Sequence, residues 1–407
     1  MKRVAYCELR GGAGFRLVLA ALGLVMGLGL ASAWVMEHYG HVVTGMDNQV
    51  VWGAPHVFAV FLIVAASGAL NVASVGSVFD RALYKPMARL SALLAIALLV
   101  GGLAVLVLDL GRPERLVVAM TSYNFRSIFA WNIFLYTGFL ALAVAYLIVM
   151  MGRGLGGLAK PVGLIAFLWR LLLTTGTGSI FGWLVAREAY DAAVMAPLFI
   201  AMSLAFGTAI FILLLAALVW ASGRVPDTAL LVRLGRLMGI FVAAVLYFVA
   251  VQHLTNLYAA EHAGLERFLL VNGGVYPLLF WTVQVGLGSV VPLGLVLLWR
   301  PHSPWVPMLA AALVIVGGFA QVYVTIIGGQ AYPLELIPGR QVSSSFGDGS
   351  IAAYTPSMPE VGLGLGGVAL ALVVVLIGVR ALRILPENLT GDQAEVAAAP
   401  DARILHP

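Results

Sequence analysis

Ten runs of apolar residues, each long enough to cross a bilayer, decide what this chain can fold into. A hydrocarbon core about 30 Å thick needs about 20 helical residues. The runs fall at 17–36, 57–79, 90–108, 128–151, 161–186, 192–221, 237–257, 275–299, 305–327 and 361–379. A transmembrane barrel strand alternates in polarity, so unbroken runs exclude that architecture. The expected fold is all-α, a polytopic transmembrane helix bundle of ten spans. Only 10% of the 407 residues are charged, so each charge inside or beside a run calls for a physical reason.

Lys and Arg set the orientation. They concentrate at the N-terminus (Lys2, Arg3, Arg10, Arg16), in the even-numbered connectors and at the C-terminus, while the connector before His56 has none. The positive-inside rule then puts both termini in the cytoplasm. The net charge of +5 reports this loop bias, and no nucleic acid is expected as a partner. The expected organisation is a cytoplasmic N-terminus (1–16), an integral membrane domain (17–383) and a disordered, polar, Ala-rich cytoplasmic tail (384–407). Ala31-Ser32-Ala33 resembles a signal-peptidase site. The apolar run continues through Trp34 to Met36, which favours an uncleaved first helix.

Charge is densest in Asp109–Trp131, DLGRPERLVVAMTSYNFRSIFAW, a connector between two spans in which Ser127 is placed to cap the next helix. It holds Asp109, Arg112, Glu114, Arg115 and Arg126 and falls on the outer face. So do His56, behind Trp52 and Pro55, and Arg187, Glu188 and Asp191 in the fifth connector. Gln252, His253 and Asn256 end the seventh span, with 252 and 256 on one helix face. Gln284 and Gln321 lie deeper. Each has a bland reading: His56 as an interfacial histidine, Asp109–Arg112 as a rim ion pair, the residues of span seven as interhelical glue. Their gathering at one face favours a site.

Arg170 lies about nine residues into its span, roughly 14 Å deep. A charge there costs at least about 2.5–3.5 kcal/mol. No acidic residue lies within an apolar run, so backbone carbonyls, Asn71, Asn132 or a file of water must serve it. It is read either as a structural anchor or, with Thr174, Thr175 and Thr177, as part of a proton path. The single cysteine, Cys7, excludes internal disulfides, CxxC zinc sites and a self-ligated iron–sulfur cluster. A membrane-crossing haem pair needs four histidines at two depths, whereas only His56 and His253 lie at span ends, both on one side. No metal site, haem or cluster is expected in the chain itself.

VWGAPHVF, LDLGRPER, NFRSIFAW, WRLLLTTGTGSIFGWLVAREAYDAAVMAP and GGQAYPLELIPG with SSSF and YTPSMPE resemble the NrfD/PsrC family of quinone-interacting membrane subunits. Over roughly residues 15–383 the likeness is to its ten-helix branch and, within that, to the DsrP type of DsrMKJOP complexes. The resemblance implies a subunit without a prosthetic group that exchanges electrons between membrane quinone (menaquinone or ubiquinone) and a periplasmic ferredoxin-like iron–sulfur subunit, in dissimilatory sulfur metabolism. Further implied partners are a periplasmic multihaem cytochrome c, a membrane cytochrome b and a cytoplasmic iron–sulfur subunit. On this sequence, the family pattern places His56 and Asp109 at the quinone headgroup. Arg112, Glu114 and Arg126 support the connector or dock a partner, with Glu188, Asp191 and His253 as further supporting candidates. Family members with eight helices also use a tyrosine; Tyr123 and Tyr136 stand nearest the motif.

Quinone chemistry suits such residues, because two electrons and two protons move together and a group near neutrality must exchange the protons. Two other classes fit the same span count. A secondary transporter would show matched broken helices and internal repeats near the midplane, and a purely structural anchor would need no proton-active His56. The connector 328–360, rich in Gly, Ser and Pro, is expected to form an ordered cap that meets a partner.

Overall fold

The computed structural model describes residues 5–152, 154–298, 303–333 and 349–387. Ten helices long and apolar enough to cross a membrane run through them. They are α1 (Ala13–Tyr39), α2 (Ala54–Ser77), α3 (Ala82–Leu108), α4 (Ile128–Met151), α5 (Gly156–Gly182), α6 (Met195–Ala221), α7 (Thr228–Tyr258), α8 (Val275–Leu297), α9 (Trp305–Ala331) and α10 (Met358–Ala381). One two-stranded antiparallel ladder, β1 (Tyr6–Cys7) with β2 (Leu385–Pro386), joins the two ends of the chain. The tail expected to be disordered lies outside the described residues from 388 onward, as does 334–348 of the expected cap.

Helix α2 is the hub. It packs against α3, α6, α9 and α10, and nearly every side chain of Ala54–Ala69 is buried. α4 and α5 pair beside it, while α6, α7, α8 and α9 form the other half of the bundle. α1 lies outermost, chiefly against α10. The α2–α6 seam is close because neither helix carries a side chain at the crossing: a Cβ at Gly207 would overlap the backbone of Gly68 and Ala69.

α2 breaks at Leu70, where regular hydrogen bonding is interrupted. Inside an apolar bundle the freed backbone groups need partners. Ser91 of α3 inserts into the gap, donating to the Ala69 carbonyl (2.6 Å) and accepting from Ala73 N–H (2.9 Å), and Tyr146 of α4 donates to the Ala73 carbonyl. Arg170 reaches the same break from α5. Its guanidinium donates to Asn71 Oδ1 (3.3 Å) and to the Ser67 carbonyl (3.5 Å), and it lies 4.8 Å from the Phe167 ring centre. Of the expected partners, Asn132 does not take part: its amide spans Ile128 and Gly176. Dispersed carbonyl partners and a cation–π contact let a buried charge stand without a carboxylate.

Three helix starts differ from the sequence reading: α3 opens with 3₁₀ turns over Ala82–Met87, eight residues before its apolar run. Ser127 occupies the N-cap position of α4, but its side chain makes no capping bond. α7 begins nine residues earlier than its apolar run because Asp227 caps it, accepting from Ala229 and Leu230 N–H. The hydrophobic pattern marks the membrane and the cap marks the helix.

The α2–α6 crossing makes a stability prediction. Gly207→Ala forces the two backbones apart and should cost on the order of 1–3 kcal/mol, read as a lower thermal midpoint in detergent. Gly27→Ala, where a Cβ meets open space, should leave the midpoint unchanged.

Candidate functional site

Asp109 is the C-cap residue of α3, and its carboxylate is 4% exposed. The C-terminus of a helix carries partial negative charge, so a carboxylate there needs a proton or a cation beside it. His56 supplies the neighbour from the first turn of α2, where the Gly53–Pro55 turn starts the helix: Nδ1 lies 2.7 Å from Asp109 Oδ2. His41 approaches from the connector after α1, with Nε2 3.8 Å from Oδ1. The His56–Asp109 contact is short but not aligned as a hydrogen bond, and both carboxylate oxygens lack a hydrogen-bond partner among the described residues. Buried polar atoms in that condition are poised to take a proton or a ligand's hydroxyl.

The chain beyond Asp109 is shaped to admit His41. Gly111 has φ +68°, a conformation costly for any residue with a Cβ, and a Cβ there would sit 3.1 Å from the His41 ring. The glycine of the DLGRP run is thus required twice over. His41 joins the cluster although no motif in the sequence singles it out; its one local signal is Gly111, two residues before the Pro113–Arg115 turn.

Trp52 roofs the pair. Its ring stacks 6.0 Å from His56 and 6.1 Å from Tyr190, with Phe129 and Phe181 edge-on. A polar clamp holds the segment bearing Trp52. The Gln330 side chain accepts from Val51 and Trp52 N–H (both 3.0 Å) and donates to the Trp52 carbonyl. Arg187 donates to the Gln49 carbonyl (2.6 Å) and the Gln330 carbonyl. Burial lowers the Arg187 guanidinium from its ordinary value. It also pushes the Tyr190 phenol up, so Tyr190 stays a neutral donor to the Ile326 carbonyl.

Described parts of the connector before α10 also lie against this site. Tyr354 accepts from Ala54 N–H and donates to Glu360 (both 2.6 Å). Glu360, wholly buried in the first turn of α10, also accepts from Gly45 and Ser357 N–H. A carboxylate at a helix start is favoured by the macrodipole. Burial, and then the Glu360 carboxylate, raise the Tyr354 phenol well above the usual range.

The other sequence candidates are distributed differently. Arg112, Glu114 and Arg126 are exposed on the connector after α3, which folds as a short helix, Leu116–Thr121, with apolar Val117, Val118 and Met120 outward. Asp191 is exposed and Glu188 half-buried in the connector before α6. Tyr136 is buried against Thr177 (3.2 Å), and Tyr123 stacks on Phe125. His253 belongs to a separate cluster: its Nδ1 is 2.7 Å from Oε2 of Glu266, which also accepts from Asn256. Glu266 and Glu360 are carboxylates that the sequence pattern does not single out, since neither lies within an apolar run.

The family model described as "Polysulphide reductase, NrfD" matches residues 42–333. The chain is 29% identical to an Hdr-like menaquinol oxidoreductase integral membrane subunit of Archaeoglobus fulgidus, over 94% of this chain and 96% of that one. It is 28% identical to a putative dimethyl sulfoxide reductase membrane subunit of Halobacterium salinarum, over 91% of each. It is 22% identical to a selenate reductase subunit of Mesobacillus selenatarsenatis, over 69% of this chain and 74% of that one.

The clamp predicts a local effect. Gln330→Met keeps volume but strips partners from two backbone N–H groups, at about 1–3 kcal/mol for each group left unsatisfied. Limited proteolysis of the folded variant should open new cleavage within 44–53, a segment that stays protected in the wild type.

Proposed function

Because the chain belongs to the polysulphide reductase NrfD family, we propose that it is the quinone-reactive membrane subunit of an oxidoreductase complex. Its quinol hydroxyl is received at His56 and Asp109. The observation that carries this reading is the buried His56–Asp109 contact whose carboxylate oxygens have no hydrogen-bond partner among the described residues. Oxidising a quinol releases two electrons and two protons. His56 accepts the proton of the hydroxyl that it faces, and Asp109 balances the imidazolium and relays that proton toward His41, the more exposed of the two histidines. The hydroxyl at the other end of the ring releases the second proton to water, and both electrons pass to the redox partner. Run in reverse, the same residues deliver protons to a quinone.

Access is from the side. Phe129 beside Trp52 and Leu110 beside Asp109 present exposed apolar surface next to the pair. A ring with a long apolar tail arrives through the bilayer, and such a surface suits it.

The finer reading extends the same site. The Lys and Arg distribution favours both termini in the cytoplasm of a bacterial inner membrane, so that His56 and Asp109 face the periplasm. There, exposed Arg112, Glu114, Arg126 and Asp191 form the docking rim for a ferredoxin-like iron–sulfur subunit that takes or gives the electrons. The name of the Archaeoglobus relative supports menaquinone over ubiquinone. The names of the three relatives support membership of a larger redox complex. The DsrP-like motifs favour a sulfur-metabolising assembly, with a multihaem cytochrome c, a membrane cytochrome b and a cytoplasmic iron–sulfur protein as the remaining members.

The test is binding of a fluorescent quinol analogue to the purified chain in lipid nanodiscs. His56→Ala and Asp109→Asn should each weaken binding by about tenfold or more, the loss of one charge-assisted hydrogen bond. Arg126→Ala should bind as the wild type does and fail only in electron transfer to a partner. Equal affinity in all four proteins would leave the structural-anchor reading.

A further inference from the structure

A cavity of about 30 Å³ lies between α7, α8, α9 and the connector before α6, walled in part by Gln252, His253, Gln284, Gln321 and Thr325. A smaller one of about 10 Å³ adjoins it, sharing Gln284 and Gln321 and reaching Ser289. Gln284 and Gln321 are buried, yet neither carboxamide makes a hydrogen bond among the described residues, and the same holds for half-buried Gln252. Each unsatisfied group costs about 1–3 kcal/mol. Water resolves this: the first space admits about two molecules and the second about one, with polar partners on several sides.

The backbone is adapted to this space. α8 is π-helical over Leu279–Val290 and α9 over Val324–Gly328, the stretches that carry Gln284, Ser289 and Thr325. Widened turns of this kind concentrate at functional sites. At the outer end of the cavity, His253 meets Glu266, whose side chain is fully buried. Nδ1 lies 2.7 Å from Oε2, and Asn256 Nδ2 donates to Oε1 at 2.8 Å. Both carboxylate oxygens are therefore engaged, the ring is held edge-on to Phe280, and Nε2 is the nitrogen left for the cavity. A carboxylate fixing one nitrogen of an imidazole so that the other can exchange a proton is a general acid–base arrangement.

We propose that His253 is a second proton-exchange site, with water as its ligand, held by Glu266 and Asn256 and fed through the glutamine-lined cavity. Nε2 takes a proton from a protonated water, Glu266 balances the imidazolium, and release is the reverse; no electron and no other reactant takes part. The proposal stands apart from the quinone reading of His56. Other titratable groups on the elements packed against the pair are Tyr258 at the end of α7, Glu261, His262 and Arg267 beyond it, Tyr276 on α8, Tyr323 on α9, and Arg187, Glu188, Tyr190 and Asp191 before α6.

Infrared difference spectroscopy of the full chain in nanodiscs, between water and deuterium oxide, tests it. The wild type should show a deuterium-exchanging imidazole band that is lost in His253→Gln. In Glu266→Gln that band should shift in frequency, because Nδ1 loses the carboxylate that holds it. Gln284→Leu with Gln321→Leu leaves the pair intact and dries its approach, so deuterium exchange at that band should slow about tenfold or more. This double variant serves if Glu266→Gln does not fold. All of these variants should bind the fluorescent quinol as the wild type does. A His253→Gln spectrum superimposable on the wild type, or unchanged exchange in the double variant, would overturn the proposal.

Discussion

Placing a carboxylate where water is scarce costs several kcal/mol unless a partner offsets it, and one end of this bundle is built around one such group. Asp109 sits at the negative end of α3 and is held against His56 at the positive end of α2 and against His41 from the preceding connector. The conformation of Gly111, the stacking of Trp52 and the Gln330–Arg187 clamp all follow from keeping those three side chains together. None of these devices adds much to the hydrophobic core. They fix the geometry of a pair that would otherwise be a liability.

The same constraint recurs wherever a polar group enters the bundle, with different solutions. At the break in α2, Arg170 is spread over a carbonyl, an amide and an aromatic face, and Ser91 replaces missing backbone partners. Glu360 is surrounded by two backbone N–H groups and a phenol. The Glu360 arrangement is closed, whereas Arg170 Nε and Asn71 Nδ2 are left without a hydrogen-bond partner among the described residues. What singles out the His56–Asp109 pair and the glutamine-lined space beside His253 for proton chemistry is that each sets an imidazole against a buried carboxylate.

Hydrophobic run length made the spans legible: the fourth run coincides with Ile128–Met151, and the others lie within about five residues of their helices except at two starts, where Asp227 caps an earlier start of α7 and 3₁₀ turns over Ala82–Met87 extend α3. Sidedness of the polar groups was also readable, since alternate connectors share a face. Which of those groups meet was not. His41 and Asp109 are joined only by the tertiary packing of α1, α2 and α3. Glu266 and Glu360 are buried although each lies outside an apolar run, and nothing in a linear pattern distinguishes them from solvated loop acids. The break at Leu70 left no proline or glycine cluster as a signal; its evidence is the set of side chains that repair it.

Where a quinone headgroup rests decides whether the His56–Asp109 pair is the reactive end of the bundle. Photo-crosslinking with an azido-quinone in nanodiscs, followed by peptide mapping, reads that position directly. Labelling should fall on the 52–58 and 106–112 peptides and be displaced by excess unlabelled quinol. Labelling concentrated instead on the 249–256 and 276–284 peptides would contradict it, and would move the quinone to the His253 side of the bundle.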